Sequence, residues 1–204
     1  TAAVDLAVPI PVTITINPPC AAPTAEAGPP ATVKGGETVT LTGSGTVAVG
    51  TAEYMWTGPA GVSISNASGA SASFTADALS PGAAPVTHVF TLTVTDSLNK
   101  EAATATVTIT VDPPPEAEAG DPQTVTSGAE VTLDGTGSTD FAGNGDPGAL
   151  TYSCAAPPGV SLSDPAVAQP TFEADTLQSG AAEVTHVFTL TVTDTLGQTH
   201  ADTV

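Results

Sequence analysis

The sequence predicts an all-β chain of two tandem antiparallel β-sandwiches, and three observations carry that reading. Apolar residues alternate with neighbours of opposite facing, as in Val39/Leu41, Val62/Ile64 and His88/Phe90/Leu92/Val94, which is the period of a half-buried strand. Clusters such as Asn66-Ala67-Ser68-Gly69 and Ser80-Pro81-Gly82 punctuate these runs as turns. The chain also repeats itself, which fixes how many units there are.

In chain order, residues 1–19 form an extra N-terminal strand ahead of the first copy. Ala25-Glu26-Ala27-Gly28 recurs as Ala117-Glu118-Ala119-Gly120, and Val39-Thr40-Leu41 as Val131-Thr132-Leu133, both at an offset of 92. The second copy then gains six residues, so that Gly61 to Ser65 matches Gly159 to Ser163 at an offset of 98. Val86 to Asp96 is repeated without change as Val184 to Asp194. Each copy holds about seven short strands in about 90 residues with no helical period, which argues a sandwich. Threonine takes the outward positions, where a β-branched side chain suits a pleated surface. The resulting boundaries are 20–112 for the first sandwich, 113–116 for a Pro-rich spacer and 117–204 for the second sandwich. A stiff, polyproline-like Asp112-Pro113-Pro114-Pro115-Glu116 spacer would set two sandwiches in line as a rod.

The order AEAG, TVTLTGSG, AEYMW, GVSIS and HVFTLTVTDSLNKEAATATVTITV resembles the PKD/REJ-type immunoglobulin-like repeats of prokaryotic surface proteins. The second copy carries VTLDGTGSTD, LTYS, GVSLSDP and HVFTLTVTD in the same order. The resemblance implies a fold, and spacer, adhesive or structural roles, rather than a chemistry. The pattern is departed from at Cys154, which stands where the first copy has Trp56.

The two ends of the chain complement each other. The first copy finishes with Ala103 to Val111, a closing strand, whereas the second stops at Asp202-Thr203-Val204, read as the counterpart of Thr104-Ala105-Thr106. The second sandwich is therefore expected to lack its last strand, leaving an apolar groove and unpaired backbone. At the other end, Val12 to Pro19 matches Val107 to Pro114, and Val4, Leu6, Val8, Ile10, Val12, Ile14 and Ile16 share one face. Pro9 and Pro11 lack N–H groups on the same side, so one edge of that strand can pair fully. The expectation is strand donation: residues 4–17 of one molecule complete the second sandwich of the next. Seven buried aliphatics would contribute roughly 10–20 kcal/mol as an upper bound. Donor and acceptor surfaces differ, so the contact is head-to-tail and the product is an extracellular, pilus-like homopolymer at the cell surface. The logic is similar to that of chaperone–usher pilins, which this sequence does not otherwise resemble. Two other readings stand beside it: a spacer or adhesive repeat pair from a larger secreted or surface protein, and a strand folded back into its own second sandwich.

Charge excludes other classes. There are 21 acidic residues against 2 basic ones, Lys34 and Lys100, for a net charge of −19. Nothing can neutralise a phosphate backbone or an anionic lipid surface, so nucleic acid and membrane insertion are not expected partners. No nucleophile elbow, P-loop or metal-ligand spacing of His and Cys is present, and no enzyme activity is expected.

Smaller constellations remain. Cys20 and Cys154 are the only cysteines, too far apart within one rod and a candidate disulfide across a donated junction. Asp134, Asp140, Asn144 and Asp146 collect oxygen ligands in one loop and make a candidate Ca²⁺ site, although not at EF-hand spacing. Asn66 begins an N-x-S glycosylation pattern in a turn, and outward threonines are candidates for O-linked glycans. His88 and His186 recur on an inward strand face, which points to packing or a local hydrogen bond; Tyr54, Tyr152 and Trp56 read as core or sheet-face residues.

Overall fold

The computed structural model describes residues 21–141 and 149–204. Among these residues the structure is all-β, with no helix. The first repeat contributes β1 (Ala31–Lys34), β2 (Thr38–Thr42), β3 (Ala52–Thr57), β4 (Ser71–Thr75), β5 (Val86–Asp96) and β6 (Ala102–Asp112). Alternation does what it predicts: in β2 Val39 and Leu41 are buried between exposed threonines, and in β5 every second residue from His88 to Asp96 is buried. A four-stranded sheet runs in the order β1-β6-β5-β3, with β1 parallel to β6 and the other pairings antiparallel. A two-stranded sheet, β2-β4, shares its core. Trp56, Phe90, Leu92, Val94, Val107, Ile109 and Val111 from the larger sheet meet Val39, Leu41 and Phe74 from the smaller. The rings of Phe74 and Phe90 lie 4.5 Å apart, a favourable tilted contact.

Ser44 bridges Glu26 antiparallel, and the glycine that follows it has a packing reason. A Cβ on Gly45 would collide with the Thr24 carbonyl oxygen and the Val94 side chain, so only glycine admits this close approach. One expected strand is absent. Val62 and Ile64 are partly buried against the core, yet only Ser65 makes a bridge, to Ser73, because the flanking Pro59–Gly61 and Asn66–Gly69 turns leave too short a run to pair.

The second repeat contributes β7 (Glu130–Thr132), β8 (Thr151–Ala155), β9 (Thr171–Glu173), β10 (Thr189–Thr193) and β11 (Thr199–Thr203). A three-stranded sheet runs β11-β10-β8, beside a two-stranded sheet β7-β9. Cys154 pairs with Leu190 as Trp56 pairs with Leu92, so the repeat holds in register as well as in sequence.

The closing strand of the second repeat corrects the sequence expectation. It is half present rather than missing: β11 pairs antiparallel with β10, His200 opposite Val192 and Thr203 opposite Thr189. Val204 continues the ladder by exchanging both backbone hydrogen bonds with Phe188, at 2.9 and 3.1 Å. Val204 therefore occupies the place of Val107, which faces Phe90. The turn before β11 spans Asp194 to Gln198 where the first repeat uses Asp96 to Glu101, one residue fewer, and this shifts the correspondence from the one read in the sequence. β11 and Val204 thus match Ala102 to Val107 of the first repeat.

The proline-rich spacer is held rather than merely stiff. Pro113 and Pro115 are fully buried, Pro114 accepts a hydrogen bond from Gly82 in the first repeat, and Glu116 exchanges two with Thr139 in the second. Gln198 adds its side-chain amide, donating to the carbonyl of Pro113 at 3.1 Å and to Asp194 at 2.9 Å.

Candidate functional site

An open groove of about 480 Å³ lies in the second repeat where Thr108 to Asp112 would run. Its walls are Gln123–Ser127 on one side and Glu183–Phe188 on the other, with Val131, Leu133, Phe172 and Ala174 beneath. The first repeat shows what such a groove is built for. There Val33, Leu79 and Val86 pack against the core beside Ile109 and Val111, which are 3% and 0% exposed. Their counterparts Val125, Leu177 and Val184 are 44%, 36% and 51% exposed. The same three aliphatics are thus sheltered where two inward side chains of the closing strand exist, and open to water where those two do not. β5 is paired from Val86 onward, whereas in the second repeat, among the described residues, ladder pairing begins at Phe188.

His186 stands on the groove wall with Nε2 2.9 Å from Asp175 Oδ2. His88 makes the equivalent contact with Asp77 at 3.1 Å and is buried edge-on against Phe74. The recurrent histidine is therefore a packing residue with a local hydrogen bond. Trp56 is buried, and its indole nitrogen finds no partner among the described residues; Tyr54 and Tyr152 pack partly buried against the two cores.

The donor-strand residues Val4, Leu6, Val8, Ile10, Val12, Ile14 and Ile16 lie outside the described residues, as does Cys20. Cys154 is buried on β8, and burial pushes its thiol up from the ordinary value. Of the candidate calcium ligands, Asn144 and Asp146 also lie outside the described residues. Asp134 is engaged in its own turn, accepting the Thr136 hydroxyl at 2.6 Å and its backbone N–H at 3.0 Å, and these hold its carboxyl below the usual range.

Asp140 keeps other company. It meets Asp112 at the end of β6 and Asp194 after β10, one carboxylate oxygen of each lying within 4.8 Å of the others. Burial, and then the Asp194 charge, push the Asp140 carboxyl up. This trio sits where the two repeats join and was invisible in the sequence, because its members come from three distant segments. The repeated Thr-Asp pair at Asp96 and Asp194 was the available signal for one of its positions, Asp194. Asn66 lies exposed in a left-handed turn at φ 54°, with its side-chain amide donating to the Ser71 carbonyl at 2.7 Å.

Residues 27–111 match the family described as "K319L-like, PKD domain", which places the first repeat within a PKD-like fold. No curated protein matches the chain. Among solved structures, the N-terminal eight immunoglobulin domains of Down syndrome cell adhesion molecule align at 12% identity and a TM-score of 0.53, covering 90% of this chain and 27% of that one. The D00-D0 domain of intimin aligns at 13% identity and a TM-score of 0.50, covering 89% and 96%. A titin I-band fragment, I67–I69, aligns at 10% identity with a TM-score of 0.45; the chain spans 64% of its length. At these identities the likeness is one of fold: immunoglobulin-like β architecture over nearly the whole chain. No helix among the described residues is long and apolar enough to cross a membrane.

Proposed function

We propose that this chain is the structural subunit of an extracellular filament, two sandwiches in line, polymerised head-to-tail by donation of the N-terminal strand into the groove of the next subunit. The observation that carries the reading is the exposure of Val125, Leu177 and Val184 where Val33, Leu79 and Val86 are sheltered by Ile109 and Val111. A strand with aliphatics at two alternate positions is the shape that repairs this, and Val12 to Pro19 reproduces Val107 to Pro114 almost residue for residue. The half-present closing strand lowers the energy available. Two inward aliphatics at about 1.5–3 kcal/mol each offset only the lower end of an association cost of about 4–15 kcal/mol. Ladder bonds along both edges of the groove, at about 0.5–1.5 kcal/mol each, supply the remainder.

The second reading is a spacer or adhesive repeat pair within a larger surface protein, where the continuing chain supplies the same strand. It is favoured by the tandem immunoglobulin domains with which the fold is shared. Deleting residues 1–17 separates the two. Under strand donation the full chain forms fibres in negative-stain micrographs, and the shortened one elutes as a folded monomer. Long fibres from the shortened chain would exclude donation, and a monomeric full chain would favour the spacer.

A further inference from the structure

We propose that His200 makes the join between the two repeats sensitive to pH: its ring holds the first residue of the second repeat only while Nδ1 carries no proton, and a proton there releases that residue. The device concerns the join alone and holds whether or not the chain forms filaments.

One hydrogen bond fixes the state of the ring. The Ala117 backbone N–H donates to His200 Nδ1 at 3.0 Å. A backbone N–H can only donate, so Nδ1 is the accepting nitrogen and the hydrogen of the neutral ring sits on Nε2. In the imidazolium both nitrogens are donors, so protonation sets one N–H against another. Imidazole is the side chain whose charge ordinarily changes between about pH 5 and 8. The tie beside it behaves differently. The Ala119 amide donates to Asp202 Oδ2 at 2.9 Å and holds that carboxyl below the usual range, so it goes on accepting in mild acid. Of two neighbouring ties, a proton breaks one and spares the other.

The arrangement belongs to the second repeat. His200 faces Val192 and Asp202 faces Leu190, in the register in which Ala103 faces Val94 and Ala105 faces Leu92. Alanine brings no side-chain acceptor to those places. The charged groups around the ring are acids: Asp202 two residues along β11, Asp194 two residues beyond Val192 on the buried face of β10, and the exposed Glu116 and Glu118 on either side of Ala117. Through Asp194 they continue to Asp112 and Asp140. The Ala117 N–H thus opposes a proton that its surroundings otherwise accommodate. Ala117 follows directly on the spacer, whose other ties, Glu116 with Thr139 and Gln198 on the Pro113 carbonyl, do not involve the ring. Acid therefore loosens the join without parting it. His88 and His186 have the opposite sign, since a proton on either makes an ion pair with Asp77 or Asp175, so only a local readout isolates His200.

Nitrogen-15 NMR of the full chain, dispersed or as sedimented fibres, supplies that readout. At about pH 8 the His200 ring should show the Nε2–H tautomer. Between about pH 8 and pH 5, hydrogen exchange at the Ala117 amide, corrected for its intrinsic pH dependence, should rise about tenfold relative to Ala119, in step with the ring signals of His200. In His200→Asn, whose Oδ1 accepts in the place of Nδ1 and carries no charge, the ratio should stay constant. The Nδ1–H tautomer at the higher pH, a ring still neutral at the lower one, or a constant ratio in the parent chain would each overturn the proposal. So would an equal rise in His200→Asn. If that variant fails to fold, the tautomer and the exchange ratio of the parent chain decide the matter alone.

Discussion

Asp96 and Asp194 end the same eleven-residue run and serve the same purpose, holding the turn that sends the chain back across the sheet. The Asp96 carboxylate accepts the Leu98 and Val49 amides at 2.9 and 3.1 Å, and the Leu98 bond above all keeps its pKa below 3.8. Asp202 is lowered in the same way by the Ala119 amide. Such groups contribute stability that is present above the unfolded pKa and is lost as pH falls through the folded one. Asp140 has the opposite sign: its contribution is complete below 3.8 and is lost as pH rises through the raised value. Thermal unfolding should show the lowered carboxylates, Asp134 included, as a melting temperature that drops below about pH 4. Replacing Asp140 by asparagine should raise the melting temperature at pH 7 while leaving it nearly unchanged at pH 3. A lower value at pH 7 would show that the Asp140 charge is needed at the junction rather than tolerated there.

Between the two closing strands, β6 and β11, lies most of what the sequence did and did not disclose. β6 was legible because Val107, Ile109 and Val111 alternate with threonine, and its partner β5 because its eleven residues recur unchanged. β11 was not, because Thr199-His200-Ala201-Asp202-Thr203 offers no apolar alternation; its inward side chains bond the Ala117 and Ala119 amides instead of a core. The turn before β11, one residue shorter than its counterpart, also moves the correspondence, so that Val204 falls level with Val107 rather than Thr106. The difference between the strands is measurable. Phe90 is wholly buried in a completed core, and Phe90→Ala should cost about 3–5 kcal/mol by denaturant unfolding. Phe188 is nearly as buried but borders the open groove, where water already reaches the neighbouring side chains. In the unpolymerised chain Phe188→Ala should cost less than Phe90→Ala, because its site is less completely walled. Equal costs would mean that the groove is closed in solution.

At the scale of the whole molecule, the proposed axial junction and the acidic surface should answer differently to salt. The chain carries a net −19, while residues 6–17 of the proposed donor strand include no charged residue and the groove residues Val131, Leu133, Phe172 and Phe188 are apolar. Under the proposed head-to-tail joining such a contact would have no ion pair to screen, and apolar burial is strengthened, not weakened, by excluded salts such as sulfate. Side-by-side approach of two fibres is another matter, since it brings like-charged surfaces together with only Lys34 and Lys100 per subunit to offset them. The repulsion reaches about 30 Å at 10 mM ionic strength and about 8 Å at 150 mM. Fibre length, scored in micrographs, should therefore change little across that range, whereas lateral bundling, followed by light scattering, should rise with salt. A divalent cation should promote bundling more strongly than sodium at equal ionic strength, because it can sit between carboxylates of two fibres. Shortening of the fibres with added salt would assign an ionic contribution to the axial junction, which the uncharged donor segment does not supply.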